Sequence, residues 1–196
     1  MENKEKVSLE LPESWFEVSI EKFQELATYN GTSSISNSIN IISCLSDQDP
    51  MDIKLISPED LKRVIEAIQW IVIDPPAEFK HTINIDGIDY SMIPKLNEMT
   101  VGEWIDIETF SENYLDNMHN IMAILYRPLI STVNDETRFI EKYDAQKSLR
   151  TAELFKEKMN VGDVYGAALF FSLIGLKFMN NLALYLEQET LEMKKN

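Results

Sequence analysis

Residues 79–93, FKHTINIDGIDYSMI, restrict the fold more than any other segment, because they predict a β-hairpin with a defined turn. Asp86 and Gly87 suit a two-residue type I′ turn, which needs positive φ at both central positions. Since side chains alternate along a strand, this turn places the apolar side chains of both strands on one face. The pairs on that face are Ile85 with Ile88, Ile83 with Tyr90, and His81 with Met92. An isolated hairpin is marginal in water, so we expect helices to cover this face.

Most of the remaining sequence has apolar residues at the spacing of amphipathic helices. Three helix starts carry capping residues: Ser19, Ser57 followed by Pro58, and Thr100 with Glu103 at capping-box spacing. The predicted helices are one from Ser19 to a stop at Asn30-Gly31, then residues 35–45, 58–72, 101–108, 112–126 and 144–159, and a last one from about residue 162 to beyond residue 186. An irregular link through Asn134 and Asp135 is expected between residues 128 and 144.

These elements predict an α+β, predominantly helical protein, in which one amphipathic β-hairpin packs on a helical bundle. Residues 1–18 carry acids and little periodicity, and they predict an acidic arm that Trp15 and Phe16 anchor. Residues 19–196 are expected to form a single mainly helical domain with the hairpin as an insertion. The segment 167–176 is apolar nearly all round, which is typical of a central core helix.

Charge excludes several kinds of partner. The 196 residues include 33 acids and 18 bases, a formal net charge of −15. Without a run of Lys and Arg to neutralise phosphates, direct binding to nucleic acid or to an anionic membrane surface is not expected. The longest uncharged apolar stretch, residues 164–176, is shorter than the about 20 residues of a membrane span. The charged start, MENKEKVSLELPE, does not have the pattern of a signal peptide, which predicts a cytoplasmic location.

The sequence predicts no catalytic residue, no cofactor and no metal. Cys44 is the single cysteine and lies among isoleucines and leucine, where burial makes a thiol inert. The chain has two histidines and no glycine-rich phosphate loop. It therefore does not have the residues that hydrolases, kinases and dinucleotide-binding enzymes usually use. Asp116 and His119 have the i, i+3 spacing of half a carboxylate-bridged metal site, but such sites use two pairs of this kind. A solvated acidic helix face explains the same residues more simply.

Residues 101–127 contain the candidate interaction residues. Five acids and no base lie between residues 101 and 126, among them Asp106 and Glu108. Arg127 follows in an apolar neighbourhood, where an unpaired guanidinium is costly. It either pairs with an acid of the preceding helical region or makes a contact between subunits. Trp104 is either a core residue or an interface anchor. Trp104, Asp106, Glu108 and Arg127 are therefore the predicted interaction residues.

Four strings in the order IDGIDY, MTVGEWIDIE, HNIMAILYRP and GAALFFSLIG give the chain a family resemblance. Over residues 80–180 it resembles small structural and assembly proteins of tailed bacteriophages, especially the crAss-like type that infects Bacteroides. The resemblance implies a non-enzymatic morphogenesis protein: a component of the portal, neck or tail, or a tail assembly chaperone. It implies a homo-oligomer or ring component with other phage structural proteins as partners, located in the host cytoplasm during assembly or in the virion.

A different function class fits the acidic composition. The chain is alternatively an acidic binding or inhibitor module that sequesters a basic partner by mimicking the charge of nucleic acid. Dense carboxylates on one face would favour this alternative, whereas an apolar patch would favour an assembly protein.

Overall fold

The computed structural model describes residues 9–29, 34–75, 78–95, 98–134 and 137–169. The protein is α+β and predominantly helical, which confirms the predicted fold class. The helices are α1 (Ile20–Thr28), α2 (Ile35–Ser46), α3 (Pro50–Ile53), α4 (Pro58–Ala67), α5 (Val101–Ser111), α6 (Tyr114–Leu125) and α7 (Ala145–Lys158). The strands are β1 (Thr82–Ile85), β2 (Ile88–Met92), β3 (Tyr126–Asn134) and β4 (Thr137–Ile140), and they form one antiparallel sheet in that order. Short 3-10 turns span Trp15–Glu17 and Gln69–Val72, and residues 161–169 are helical.

The predicted helix starts are confirmed by their hydrogen bonds. The Ser19 side chain accepts from the backbone N–H of Lys22, and the Ser57 side chain accepts from that of Asp60. Thr100 forms a complete capping box at the start of α5. The predicted stop at Asn30-Gly31 and the part of the last helix beyond residue 169 lie outside the described residues.

Helix α4 is shorter than the sequence predicts. It ends at Ala67 instead of continuing to residue 72, and the 3-10 turn Gln69–Val72 follows. This turn sets Trp70 edge-on to Trp15 at 5.2 Å, and Trp15 Nε1 donates to the carbonyl of Ile73 at 2.8 Å. Val72, predicted to continue the apolar stripe, is exposed as a result.

The predicted hairpin is confirmed in its turn, register and apolar face. Asp86 and Gly87 have φ of 51° and 81°, as a type I′ turn requires. Ile83 pairs with Tyr90 and Ile85 with Ile88, as predicted. The side chains of this face pack against the helices, except those of Ile88 and of His81, which was predicted on this face, because both are exposed; the buried ones are Ile83, Ile85, Tyr90 and Met92.

The irregular link predicted through Asn134 is wrong, because that part of the chain is a second hairpin. Strand β3 begins at Tyr126, directly after α6, and its first residues pair with β2. Its later residues pair with β4. The sheet therefore has four strands, whereas the sequence predicted only the two strands of the first hairpin. Asp135 lies outside the described residues.

Two hydrophobic clusters of the described residues hold the fold together. The first lies between the sheet and helices α6 and α7, and its fully buried side chains include Tyr126, Phe155, Met122, Ile124 and Leu125. The second joins the N-terminal helices around Ile42, Leu45, Ile53, Val18 and Trp15. Trp15 and Val18 show that residues 9–18 of the predicted arm pack on the helices, while residues 1–8 lie outside the described part of the chain.

Candidate functional site

The capping box of α5 turns one carboxylate toward the protein interior. Glu103 Oε2 accepts from the backbone N–H of Thr100 at 2.6 Å and from the Thr100 hydroxyl at 2.7 Å. The side chain of Glu103 is only 3% exposed. Because these hydrogen bonds use one carboxylate oxygen, the other is left to balance a charge on a neighbouring element.

That charge is Arg127 of β3. Its Nη2 lies 3.1 Å from Glu103 Oε1, and its side chain is 14% exposed. The contact is an ion pair outside hydrogen-bond geometry, and Arg127 Nε is buried with no hydrogen-bond partner among the described residues. Burial lowers the pKa of the Arg127 guanidinium, while Glu103 and Tyr143 oppose that shift. Of the two alternatives predicted for Arg127, the structure therefore shows the internal ion pair, which Arg127 forms with Glu103 of the preceding helical region.

One turn further along α5, Asp106 makes a second contact between this helix and a later part of the chain. Its Oδ2 accepts a hydrogen bond from the hydroxyl of Tyr143, which follows β4 in the chain. Burial and this hydrogen bond raise the pKa of Tyr143. Helix α5 thus holds the chain at the start of β3 and again just after β4. We refer to Glu103, Asp106, Arg127 and Tyr143 as the α5 clamp.

Beyond the clamp, β3 and β4 form a hairpin that exposes large apolar side chains. We refer to residues 129–134 and 137–140 as the hairpin arm. Ile130 is 66% exposed, Val133 is 69% exposed and Phe139 is 53% exposed. Residues 130–133 are all exposed, so both faces of β3 are open here. Apolar side chains in such a position are typical of a protein-binding surface.

The register of the hairpin arm explains why these side chains are exposed. Leu129 pairs with Ile140 and Ser131 with Phe139, so Ile130 is an extra residue without a partner on β4. Thr132 pairs with Arg138 and Asn134 with Thr137, so Val133 is a second extra residue. Bulges of this kind re-aim side chains and end regular pairing at sheet edges. The two bulges therefore present Ile130 and Val133 away from the core.

The four predicted interaction residues take different positions. Asp106 and Arg127 belong to the α5 clamp, where they face other parts of the same chain. Trp104 is half-buried on α5, and Glu108 is exposed on the same helix. Sequence reasoning missed the exposed residues of the hairpin arm. The available signal was the run of β-branched residues within ISTV, which favours a strand.

A cleft of about 210 Å³ lies beside the hairpin arm and the start of α7. Its lining includes Arg127, Glu141, Tyr143, Lys147 and Ser148. Lys147 Nζ lies 3.1 Å from Glu141 Oε2, so these two charges satisfy each other. The lining contains no histidine, the side chain that most often serves as a general base.

The other reactive side chains have structural surroundings. Burial raises the pKa of the Cys44 thiol to about 12, in line with an inert thiol. Asp116 accepts a hydrogen bond from Asn113, whereas the buried His119 ring lies 3.3 Å from the amide nitrogens of Gln24 and Asn120. Within the described ranges, no group of three metal-binding side chains comes together.

His119 predicts one component of the pH dependence of stability. Burial, and then the positive charge of Lys156, lowers its pKa below the ordinary value of 6.5. As the pH falls through that value, the unfolded chain takes up the proton before the folded chain does, so stability falls. His119→Gln is expected to lose less stability than wild type between pH about 7.5 and about 5.5, measured by urea unfolding. His81→Gln is the comparison: the pKa of that exposed ring is also lowered, by burial and then by the charge of Arg138, but the ring is less buried than that of His119, so a smaller change is expected. Equal losses in wild type and His119→Gln would contradict the prediction.

Comparisons of this chain with protein-family models, with curated proteins and with solved structures find no match. Among the helices of the described residues, none has the length and apolar content needed to cross a membrane.

Proposed function

We propose that the protein is a non-enzymatic bacteriophage morphogenesis protein that acts through protein–protein contacts of its hairpin arm. It serves as a small component of the portal, neck or tail, or as a tail assembly chaperone. The observation that carries the proposal is the exposure of Ile130, Val133 and Phe139 on a hairpin that the α5 clamp holds at its base. The resemblance of four sequence strings, in their order, to those of phage assembly proteins is what suggests the phage context.

The energy available from the hairpin arm suits an assembly contact. Complete burial of one large apolar side chain is worth about 1.5–3 kcal/mol, so three partly covered ones contribute about 3–6 kcal/mol. A micromolar complex requires about 8 kcal/mol, after the entropy costs of association. The hairpin arm alone therefore gives a weak contact, which becomes stable when many copies or further surfaces act together.

The proposal is tested by isolating the tagged full-length protein from phage-infected cells and identifying its partners by mass spectrometry. The arm variant is Ile130→Ser, Val133→Ser and Phe139→Ser together. The matched control is Val101→Ser with Leu149→Ser, which changes exposed apolar residues on α5 and α7. Wild type and control are expected to retain phage structural proteins. The amount of these proteins isolated with the arm variant is expected to be lower by at least about tenfold.

Two results would overturn the proposal. One is a wild-type protein that carries no phage protein when it is isolated. The other is an arm variant that is folded by circular dichroism and retains its partners as the control does.

A further inference from the structure

The cleft beside the hairpin arm and the start of α7 is lined by more bases than acids, although the chain as a whole has a net charge of −15. We refer to it as the α7 cleft. Its bases are Arg127, Lys142, Lys147 and Arg150, and its acids are Glu141 and Asp144. The bases still exceed the acids when Glu103, which faces Arg127 from outside the lining, is included. A positively charged cavity in an acidic protein favours the binding of an anion at that position.

Two bases of the α7 cleft are not paired within the described part of the chain. Lys147 and Arg127 each lie 3.1 Å from a carboxylate oxygen, so their charges are balanced. Lys142 and Arg150 are exposed and form no ion pair with a described residue. Asp144 also has no base beside it there, and its Oδ1 caps α7 by accepting a backbone hydrogen bond at 2.9 Å. The two positive charges at the rim of the cleft are therefore available to a ligand.

Arg127 places a third positive charge deeper in the lining. Its side chain is only 14% exposed, whereas the two unpaired bases are exposed. Burial lowers the pKa of its guanidinium, and the negative charge of Glu103 opposes that shift. A second negative charge beside this guanidinium would stabilise its charged form further.

The α7 cleft also has space for more than a charged group. Its volume is about 210 Å³, and a cavity of about 150 Å³ holds one benzene molecule. Pro128 and the ring of Tyr143 form part of its wall, and the buried residues Ala123 and Tyr126 close its inner side. Small-molecule sites commonly combine an apolar wall with a few polar groups that fix the orientation of the ligand.

We propose that the α7 cleft binds a small organic anion, which has a phosphate or carboxylate group and an apolar body of about the size of one ring. The anionic group lies between Lys142 and Arg150, on the side of the cleft that Arg127 lines. The apolar body lies against Pro128 and the ring of Tyr143. No residue of the hairpin arm belongs to this lining, so the proposal is independent of the function proposed for that arm.

The test is isothermal titration calorimetry of the full-length protein with phenyl phosphate and with benzoate, at constant ionic strength. The comparisons are inorganic phosphate, which has no apolar body, and benzyl alcohol, which has no charge. At least one of the two aromatic anions is expected to bind saturably, at one site per chain, and at least about tenfold more tightly than either comparison. The tighter of the two identifies the anionic group. If neither binds more tightly than the comparisons, the proposal fails.

Variants and a contact measurement locate the site. The cleft variant, Lys142→Gln with Arg150→Gln, is expected to weaken binding of the tighter anion by at least about tenfold. The matched control is Arg63→Gln with Lys158→Gln, which removes the same charges from exposed positions outside the lining and is expected to change binding less than about twofold. In the wild type, nuclear Overhauser effects are expected between the ring protons of the bound anion and Tyr143.

Three results would refute an anion site in the α7 cleft. One is a cleft variant that is folded by circular dichroism and binds the anion as wild type does. Another is a control that weakens binding as much as the cleft variant, because total charge would then explain the binding. The third is a bound anion whose ring contacts only residues outside the lining.

Discussion

Arg127→Met is expected to lower the free energy of unfolding by about 3–5 kcal/mol, because it leaves the carboxylate of Glu103 buried without a counter-charge. Glu103 is almost fully buried and cannot turn to solvent without breaking the capping box of α5. The measurement is urea unfolding at neutral pH. The matched control is Lys95→Met, which removes an exposed ion pair of similar length, 3.0 Å from Lys95 to Glu98. That control is expected to cost less than about 1 kcal/mol.

A second substitution separates the buried charge from lost packing. Glu103→Gln keeps a side chain that accepts the capping hydrogen bonds but carries no charge. The double variant Arg127→Met, Glu103→Gln is therefore expected to be more stable than Arg127→Met alone, by at least about 1 kcal/mol. A double variant no more stable than the single one would contradict the ion-pair explanation.

Gly166→Ala is expected to destabilise the protein by about 3 kcal/mol, since overpacking is most costly where neither side can move. A Cβ at position 166 would lie 2.1 Å from the carbonyl oxygen of Glu78 and 2.5 Å from its carbon. These are backbone atoms next to Phe79, which packs against the first hydrophobic cluster. Relief of the clash would therefore require the helical segment 161–169 and the backbone before β1 to separate.

Gly102→Ala is the matched control for Gly166→Ala. It lies within α5, and among the described residues a Cβ there would meet only the Thr100 hydroxyl, at an ordinary contact distance of 3.8 Å. Alanine favours a helix over glycine by about 1 kcal/mol, so this variant is expected to be unchanged or slightly more stable. Thermal unfolding of both variants is the measurement. Similar stabilities for the two would show that the close approach at Gly166 is not maintained in solution.

Local chemistry made much of the fold predictable from the sequence. The positive-φ turn at Asp86-Gly87 fixes one register, and that register assigns every side chain of β1 and β2 to a face. Helix starts were predictable for the same reason, because a cap such as Ser57 acts within three residues.

The hairpin arm was not predictable, because its pattern is broken twice. The bulges at Ile130 and Val133 interrupt the alternation that reveals a half-buried strand, and Pro128 suggests a helix end more strongly than a strand. The α5 clamp joins residues more than 20 positions apart, so its particular pairs follow from the packing of α5 on β3 and not from local spacing. An internal pair between Arg127 and an acid of the preceding helical region was one of two alternatives from the sequence, and which acid would pair with the guanidinium was left open.

Photo-crosslinking from position 139 tests most directly whether the hairpin arm is the protein-binding surface. Phe139 is replaced by benzoylphenylalanine in the full-length protein, which is irradiated during phage assembly, and the products are identified by mass spectrometry. The same probe at Leu149, which is equally exposed on α7, is the control. The hairpin-arm account predicts intermolecular products from position 139 in at least about tenfold excess over those from position 149. Products of equal yield from both positions, or none from position 139, would contradict it.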